Sequence, residues 1–203
     1  MGKIQAQLIK LKSGLPATIK ACESKDAEFF PRFAELVGKE TPFTRFSTMD
    51  APTAEQTAVE WDQDYSRSDR LHLGVFLDGQ MLACLKFKQP YPEHEGYRHV
   101  GEFGIMVLRE FWGQGIALQL MKEMESYAKT AGALRIEAKV RDGHEKAISF
   151  FKFLGYEIEG VRRGAVRVGA DFVNEYYIGK VRASRHELRI LNPKKSPPRL
   201  FRD

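Results

Sequence analysis

The stretch that most restricts what this chain can fold into is residues 107–131, VLREFWGQGIALQLMKEMESYAKTA. It runs from the end of an apolar segment, through Gly113-Gln114-Gly115, into a helical pattern. There Ala117, Leu120, Met121, Met124 and Ala128 recur at i, i+3, i+4, i+7 and i+11, one apolar stripe on an α-helix. Two glycines at a strand-to-helix turn permit close approach of the backbone to a ligand. The first N–H groups of such a helix lack intrahelical acceptors and sit at the positive end of its dipole, which suits phosphate. The turn lacks the Gly-Lys-Ser/Thr ending of a P-loop, and Leu118 stands at the third glycine of a dinucleotide fingerprint. It reads as a pyrophosphate cradle of another kind.

The segments that follow keep a telling order. Leu134, Ile136, Ala138 and Val140 alternate with Arg135, Glu137 and Lys139, the pattern of a half-buried strand. Next come His144-Glu145-Lys146-Ala147-Ile148, then Phe151, Leu154 and Gly155-Tyr156, with Ala147, Ile148, Phe151 and Leu154 as the apolar face of a helix. A strand, x-Gly-x-Gly-x-Ala opening a helix, a strand, and then this segment resemble the GNAT family of N-acetyltransferases over roughly residues 17–181. The turn is similar to the family's acetyl-CoA loop. The later segment is similar to its Asn-x-x-Ala-Ile-x-x-Tyr-x-x-x-Gly-Phe stretch.

The resemblance implies an α/β fold: a mixed, mostly antiparallel central sheet flanked by helices, with a splayed strand pair that admits CoA. It implies an acetyl-CoA-dependent N-acetyltransferase in which a primary amine attacks directly within a ternary complex. Ile105, Met106 and Val107 of the central strand would offer backbone groups to pantetheine. Gly113 would shape the turn, and Gln114, Gly115, Ile116 and Ala117 would give N–H groups to the pyrophosphate. Trp112 stands where the family often carries Arg or Gln; it brings no charge, though it can pack beside adenine or ribose. His144 replaces an asparagine that bonds backbone near pantetheine.

Phe151 replaces the tyrosine that protonates the leaving thiolate, and phenylalanine cannot donate. Tyr176 or Tyr177 in the last strand could substitute, and Tyr177 is the candidate acid. Glu102, at the start of the central strand, is the candidate base, because an amine reacts in its free form. The alternative is a solvated strand-end charge, and a one-residue change of register would move it to the other face. His99 is the fallback.

The rest of the chain supplies the frame. Residues 4–11 alternate and turn at Ser13-Gly14, so residues 1–21 should hold a hairpin. Ser24 should cap a helix to about Val37, with Pro31 tolerable only in its first turn, and Thr53 another to about Tyr65. By resemblance these helices and the loop between them border the acceptor. Glu28, Glu35, Glu40, Glu55 and Glu60 there favour a cationic amine. Asp78-Gly79 between two alternating runs predicts a type I′ hairpin.

One domain over residues 1–181 accommodates a globular composition that is 43% hydrophobic. The seven Lys/Arg of residues 182–203 oppose only Glu187 and Asp203, so this tail carries the whole formal net charge of +5. It is expected to be flexible, and it reads as a solvated charge run, a nucleic-acid or ribosome tether, or an intersubunit arm. No apolar run approaches the ~20 residues of a membrane span, and residues 1–5 lack the apolar core of a signal peptide. Cys22 and Cys84 show no metal spacing and suggest core thiols in a reduced cytoplasm. The competing function is a non-catalytic acyl-CoA-binding module tethered to nucleic acid by the tail. The acceptor could be a small molecule or a protein N-terminus, and exposed final strands suggest a homodimer.

Overall fold

The computed structural model describes residues 4–47 and 49–182. Its strands are β1 (Gln7–Lys10), β2 (Pro16–Ala21), β3 (Arg70–Leu77), β4 (Gln80–Lys88), β5 (Val100–Val107), β6 (Arg135–Arg141), β7 (Glu157–Val168) and β8 (Asp171–Val181). They form one sheet in the order β1-β2-β3-β4-β5-β6-β8-β7. Every junction is antiparallel except β5–β6, which is parallel. Helices α1 (Phe30–Glu40), α2 (Ala54–Tyr65), α3 (Ile116–Thr130) and α4 (Glu145–Phe153) flank it. The expected mixed, mostly antiparallel architecture is the one observed. No helix among the described residues is long and apolar enough to cross a membrane. The expectation for the basic tail falls, from residue 183 onward, outside the described residues.

Local chemistry sets the element ends. Asp78 and Gly79 both have positive φ (47° and 75°), as a type I′ turn between β3 and β4 requires. Thr53 caps α2: its hydroxyl accepts from Gln56 N at 3.1 Å, and Gln56 Oε1 accepts from Thr53 N at 2.9 Å. The helix expected from Ser24 is split. Residues Ser24–Phe29 form a 3-10 turn and α1 begins at Phe30, with Pro31 in its first turn. Proline lacks an N–H and crowds the preceding turn, so it cannot lie inside one continuous helix.

Two apolar layers cover the sheet. On one face Leu120, Met121 and Met124 of α3 and Ile148 and Phe151 of α4 pack against Leu73, Leu85, Phe103 and Ile136. On the other, Phe30, Phe33 and Val37 of α1 and Trp61 of α2 pack with Cys22 and Cys84. Both cysteines are free and buried, and burial pushes the Cys84 thiol up to about 12. Alternation along each strand then sorts the site residues. Phe103, Ile105 and Val107 join the α3–α4 layer, whereas Met106 joins the α1–α2 layer, which places Glu102 and Gly104 on that same side.

Candidate active site

The site begins where two neighbouring strands part. β5 and β6 pair only through Val100↔Arg135, Gly101↔Ile136 and Glu102↔Glu137. Beyond that, β5 stays on β4 as far as Ala83↔Val107, and β6 stays on β8 as far as Arg141↔Glu175. The loop between α1 and α2 reaches across this opening. Arg141 Nη1 donates to Pro42 O and, at 3.0 Å, to Ser47 Oγ.

The phase of the β4–β5 ladder decides which backbone groups face the gap. Leu108 N donates to Leu82 O at 2.9 Å. Met106, Gly104 and Glu102 therefore exchange bonds with β4, and the backbone groups of Phe103, Ile105 and Val107 turn toward the opening. Ile105 and Val107 thus turn backbone groups outward. Met106 does not: its peptide groups belong to the ladder, and only its side chain reaches the opening. Val107 O already accepts from Trp112 Nε1 at 2.8 Å.

A cleft of about 500 Å³ fills the opening on the α3–α4 side. Its lining includes Ile105, Met106 and Val107 of β5, Trp112, Gly113, Gly115, Ile116 and Ala117 of the glycine turn and the start of α3, and His144 and Phe151. Gly115 is the N-cap of α3 at φ 87°, in the left-handed region. The first intrahelical bond is Gln119 N to Gly115 O at 3.1 Å, which leaves the N–H groups of residues 115–118 for a ligand. Gln114 departs from expectation. Its N–H donates to Phe111 O at 3.4 Å, its Oε1 accepts from Ser13 N at 2.8 Å, and it does not line the cleft. The charged side chains lining the cleft are Lys12, Lys139, Arg141 and Lys146; among the described residues no carboxylate lines it.

Aromatic rings form one wall. Phe43 stacks on His144 (4.4 Å, 17°), and His144 lies over Trp112 (6.1 Å, 28°) with Lys146 Nζ 5.3 Å from the Trp112 ring centroid. Burial, and then the Lys146 charge, pull the His144 imidazole below its usual value and keep it neutral at pH 7. Phe151 is buried edge-on to Phe103 and Tyr156.

A second cleft, of about 370 Å³, lies on the α1–α2 side. Phe43, Thr44, residues 103–106, Lys139 and Arg141 line both clefts, so the two meet along β5. Glu102 lines the second cleft, with Lys88 Nζ 3.3 Å from its Oε2. Glu60, bridged to Lys86, and Glu175, bridged to Arg162, are its other carboxylates. Arg45, Lys86, Lys88, Lys139 and Arg141 outnumber them. Of the five helix glutamates expected to favour a cationic amine, only Glu60 lines this cleft; Glu35 pairs with Lys39, and Glu40 accepts from Arg109 N. Glu60, Asp64 and His72 approach one another, but Lys86 and Arg70 already face Glu60 and Asp64, so the trio is read as an ion-pair network.

Tyr177 lines neither cleft. It lies across from Lys139 in the β6–β8 ladder, with Lys139 Nζ and Arg162 Cζ 5.8 and 5.7 Å from its ring centroid. Tyr176 donates instead to Asp142 Oδ1 at 3.0 Å. The hydroxyl at the junction of the clefts belongs to Thr44, which the sequence reading passed over; it donates to Met106 Sδ at 3.3 Å. Lys12, Phe43, Lys139 and Arg141 were also missed, because strand parity and docked loops bring them in from far along the chain. Lys146 alone stood inside a recognised motif.

The model of the acetyltransferase (GNAT) family matches residues 33–156, more than half of the chain. The chain belongs to the GNAT family. The L-amino acid N-acetyltransferase AaaT of Escherichia coli (strain K12) is 34% identical over 108 residues, which span 52% of this chain and 65% of that protein. A GNAT-family acetyltransferase from Streptococcus pneumoniae superposes with a TM-score of 0.74 at 23% identity, over 82% of this chain and 99% of that one. The yncA protein of Salmonella typhimurium, solved with its cofactor acetyl-CoA, gives 0.70 at 12% identity, over 83% and 95%. At these identities the two structures speak to the fold alone.

Proposed function

We propose that this protein acetylates the α-amino group of a free amino acid, using acetyl-CoA as donor, in a ternary complex. The observation that carries this reading is the junction of two unlike clefts on β5. One is lined by lysines, an arginine and the open N-terminus of α3; the other has both carboxylates and an excess of cations. The first suits a ligand with several phosphates. The second suits a zwitterion: Lys139 and Arg141 for a carboxylate, Glu102 for an ammonium. The name of the E. coli relative favours the same acceptor class.

Acetyl-CoA supplies an acetyl group activated as a thioester. The chain's own contribution starts with position. The outward backbone of Ile105 and Val107 offers an edge on which a pantetheine amide can lie as another strand would, and placement of this kind is worth up to ~7–11 kcal/mol. Glu102 then takes a proton from the ammonium, directly or through water, and frees the nitrogen to bond to the acetyl carbon while the carbon–sulfur bond breaks. Phe151 has no proton to give to the departing sulfur. As the amide forms the nitrogen sheds a second proton, and Thr44 Oγ at the junction, together with water, relays that proton to the departing sulfur, so that CoA leaves as the thiol.

A thiol-release assay over L-amino acids, polyamines and short peptides tests the reading. Amino acids should be the best acceptors, and Glu102→Gln should lower kcat/KM by about 10²–10⁴-fold while acetyl-CoA affinity holds. Preference for polyamines or peptides would overturn the acceptor assignment. Cofactor binding with no release for any amine would favour the non-catalytic module.

A further inference from the structure

We infer that the hairpin preceding α1 is part of the cofactor site, and that Lys12 at its turn binds a phosphate group of the nucleotide end of acetyl-CoA. This rests on the proposed function. Residue 12 lies outside the stretch matched by the family model, residues 33–156, so nothing about the family motif assigns it a role.

Three observations place it there. First, the turn is fixed. Leu11 is 3% exposed in the core, and the β1–β2 turn closes through Leu11 N to Leu15 O and Gly14 N to Leu11 O, both at 2.9 Å. Second, the turn is latched to the glycine loop. Ser13 N donates to Gln114 Oε1 at 2.8 Å, and Lys12 N lies 3.4 Å from Gln114 O. Gln114, set aside above as a phosphate ligand, has this latch as its role. Third, Lys12 lines the cofactor cleft beside Gly113 and Gly115, and its ammonium has no carboxylate partner among the described residues.

The chemistry is complementary. Trp112 stands next to the glycine loop and brings no charge of its own; Lys146 Nζ lies 5.3 Å from its ring centroid, and Lys12 adds a second ammonium, from the hairpin side, to the half charge of the α3 N-terminus. A lysine ammonium is a compact point charge on a flexible stem, able to meet either the pyrophosphate or the ribose phosphate from the solvent side. An exposed lysine of this kind adds affinity and salt sensitivity, not geometry.

The test is calorimetric titration with acetyl-CoA, 3′-dephospho-acetyl-CoA and S-acetyl-pantetheine. Lys12→Ala should weaken acetyl-CoA binding about five- to tenfold and flatten its dependence on salt, Lys12→Arg should restore most of the affinity, and pantetheine binding should not change. If the loss persists with the dephospho compound, the lysine serves the pyrophosphate. If it disappears there, the lysine serves the 3′-phosphate. Gln114→Ala, which frees the hairpin, should weaken acetyl-CoA binding less than Lys12→Ala and add nothing to it in the double variant. Unchanged acetyl-CoA affinity in a folded Lys12→Ala protein would overturn the inference, and so would an equal loss with S-acetyl-pantetheine. Failure of the unmodified protein to bind acetyl-CoA would instead overturn the proposed function.

Discussion

Gly104 offers the sharpest perturbation of the acceptor route. It sits mid-strand on β5, on the α1–α2 side, between Glu102 and Met106, and a Cβ built there meets nothing within 4 Å. No positive φ constrains it. Glycine inside a strand costs about 0.5–1 kcal/mol relative to alanine. Gly104→Ala should therefore leave the fold intact or slightly stabilise it, and the thermal midpoint should not fall. The added methyl projects into the second cleft, beside the proposed base. A misfitting methylene in a substrate pocket changes selectivity by about 1–3 kcal/mol, or 10–200-fold. Gly104→Ala should then lower kcat/KM for the amino acid by about tenfold, and Gly104→Val, which adds three carbons, by more than about a hundredfold. Acetyl-CoA affinity, measured by titration, should change less than about twofold, because the methyl points away from the α3–α4 side. Full activity in a folded Gly104→Val protein would refute an acceptor that approaches across this residue. A loss of acetyl-CoA binding instead would put Gly104 on the cofactor side.

Two further substitutions test the frame. Gly101→Ala should destabilise the protein by about 1–3 kcal/mol in denaturant unfolding, because its Cβ would lie 2.3 Å from Cε2 of the fully buried Phe87; an unchanged midpoint would contradict the packing. Asp64 is mostly buried: desolvation pushes its carboxyl up, but the hydrogen bond from His72 (2.8 Å), with the charges of His72, Lys86 and Arg70, carries it below the usual aspartate value. A depressed carboxyl stabilises the fold above its unfolded pKa, about 3.9, and loses that contribution as pH falls through the lower folded value. Asp64→Asn should therefore cost about 1–3 kcal/mol near neutral pH, with the gap to the unmodified protein closing in acid. A gap that stays constant down to the acid transition would remove this pair from the ledger.

The parts legible in the sequence were those with local causes. The stripe on α3, the Asp78-Gly79 turn and the Thr53 cap depend on residues within a few positions of one another, and each appears where the pattern places it. The glycine turn was legible for the same reason. What escaped depends on distant docking. The choice of Ile105 and Val107 over Met106 as outward backbone follows from the phase of the β4–β5 ladder, which no periodicity in one strand encodes. Gln114 was misassigned because its partner, Ser13, lies 101 residues away in the sequence. The surroundings of Tyr177 also come from the ladder: pairing with Lys139 sets it one strand over, where it lines neither cleft. The charge of the acceptor cleft was read from helix glutamates, yet its excess of cations comes from strand residues such as Lys86, Lys88, Lys139 and Arg141.

The most direct measurement is calorimetric titration of acetyl-CoA into the unmodified protein. An acyl-CoA site between β5 and β6 requires one-to-one binding in the micromolar range. Gly115→Glu, which adds a carboxylate at a left-handed glycine facing the cleft, should abolish that binding. Saturating acetyl-CoA with no heat of binding and no shift in the thermal midpoint would contradict the cofactor site, and every catalytic assignment with it.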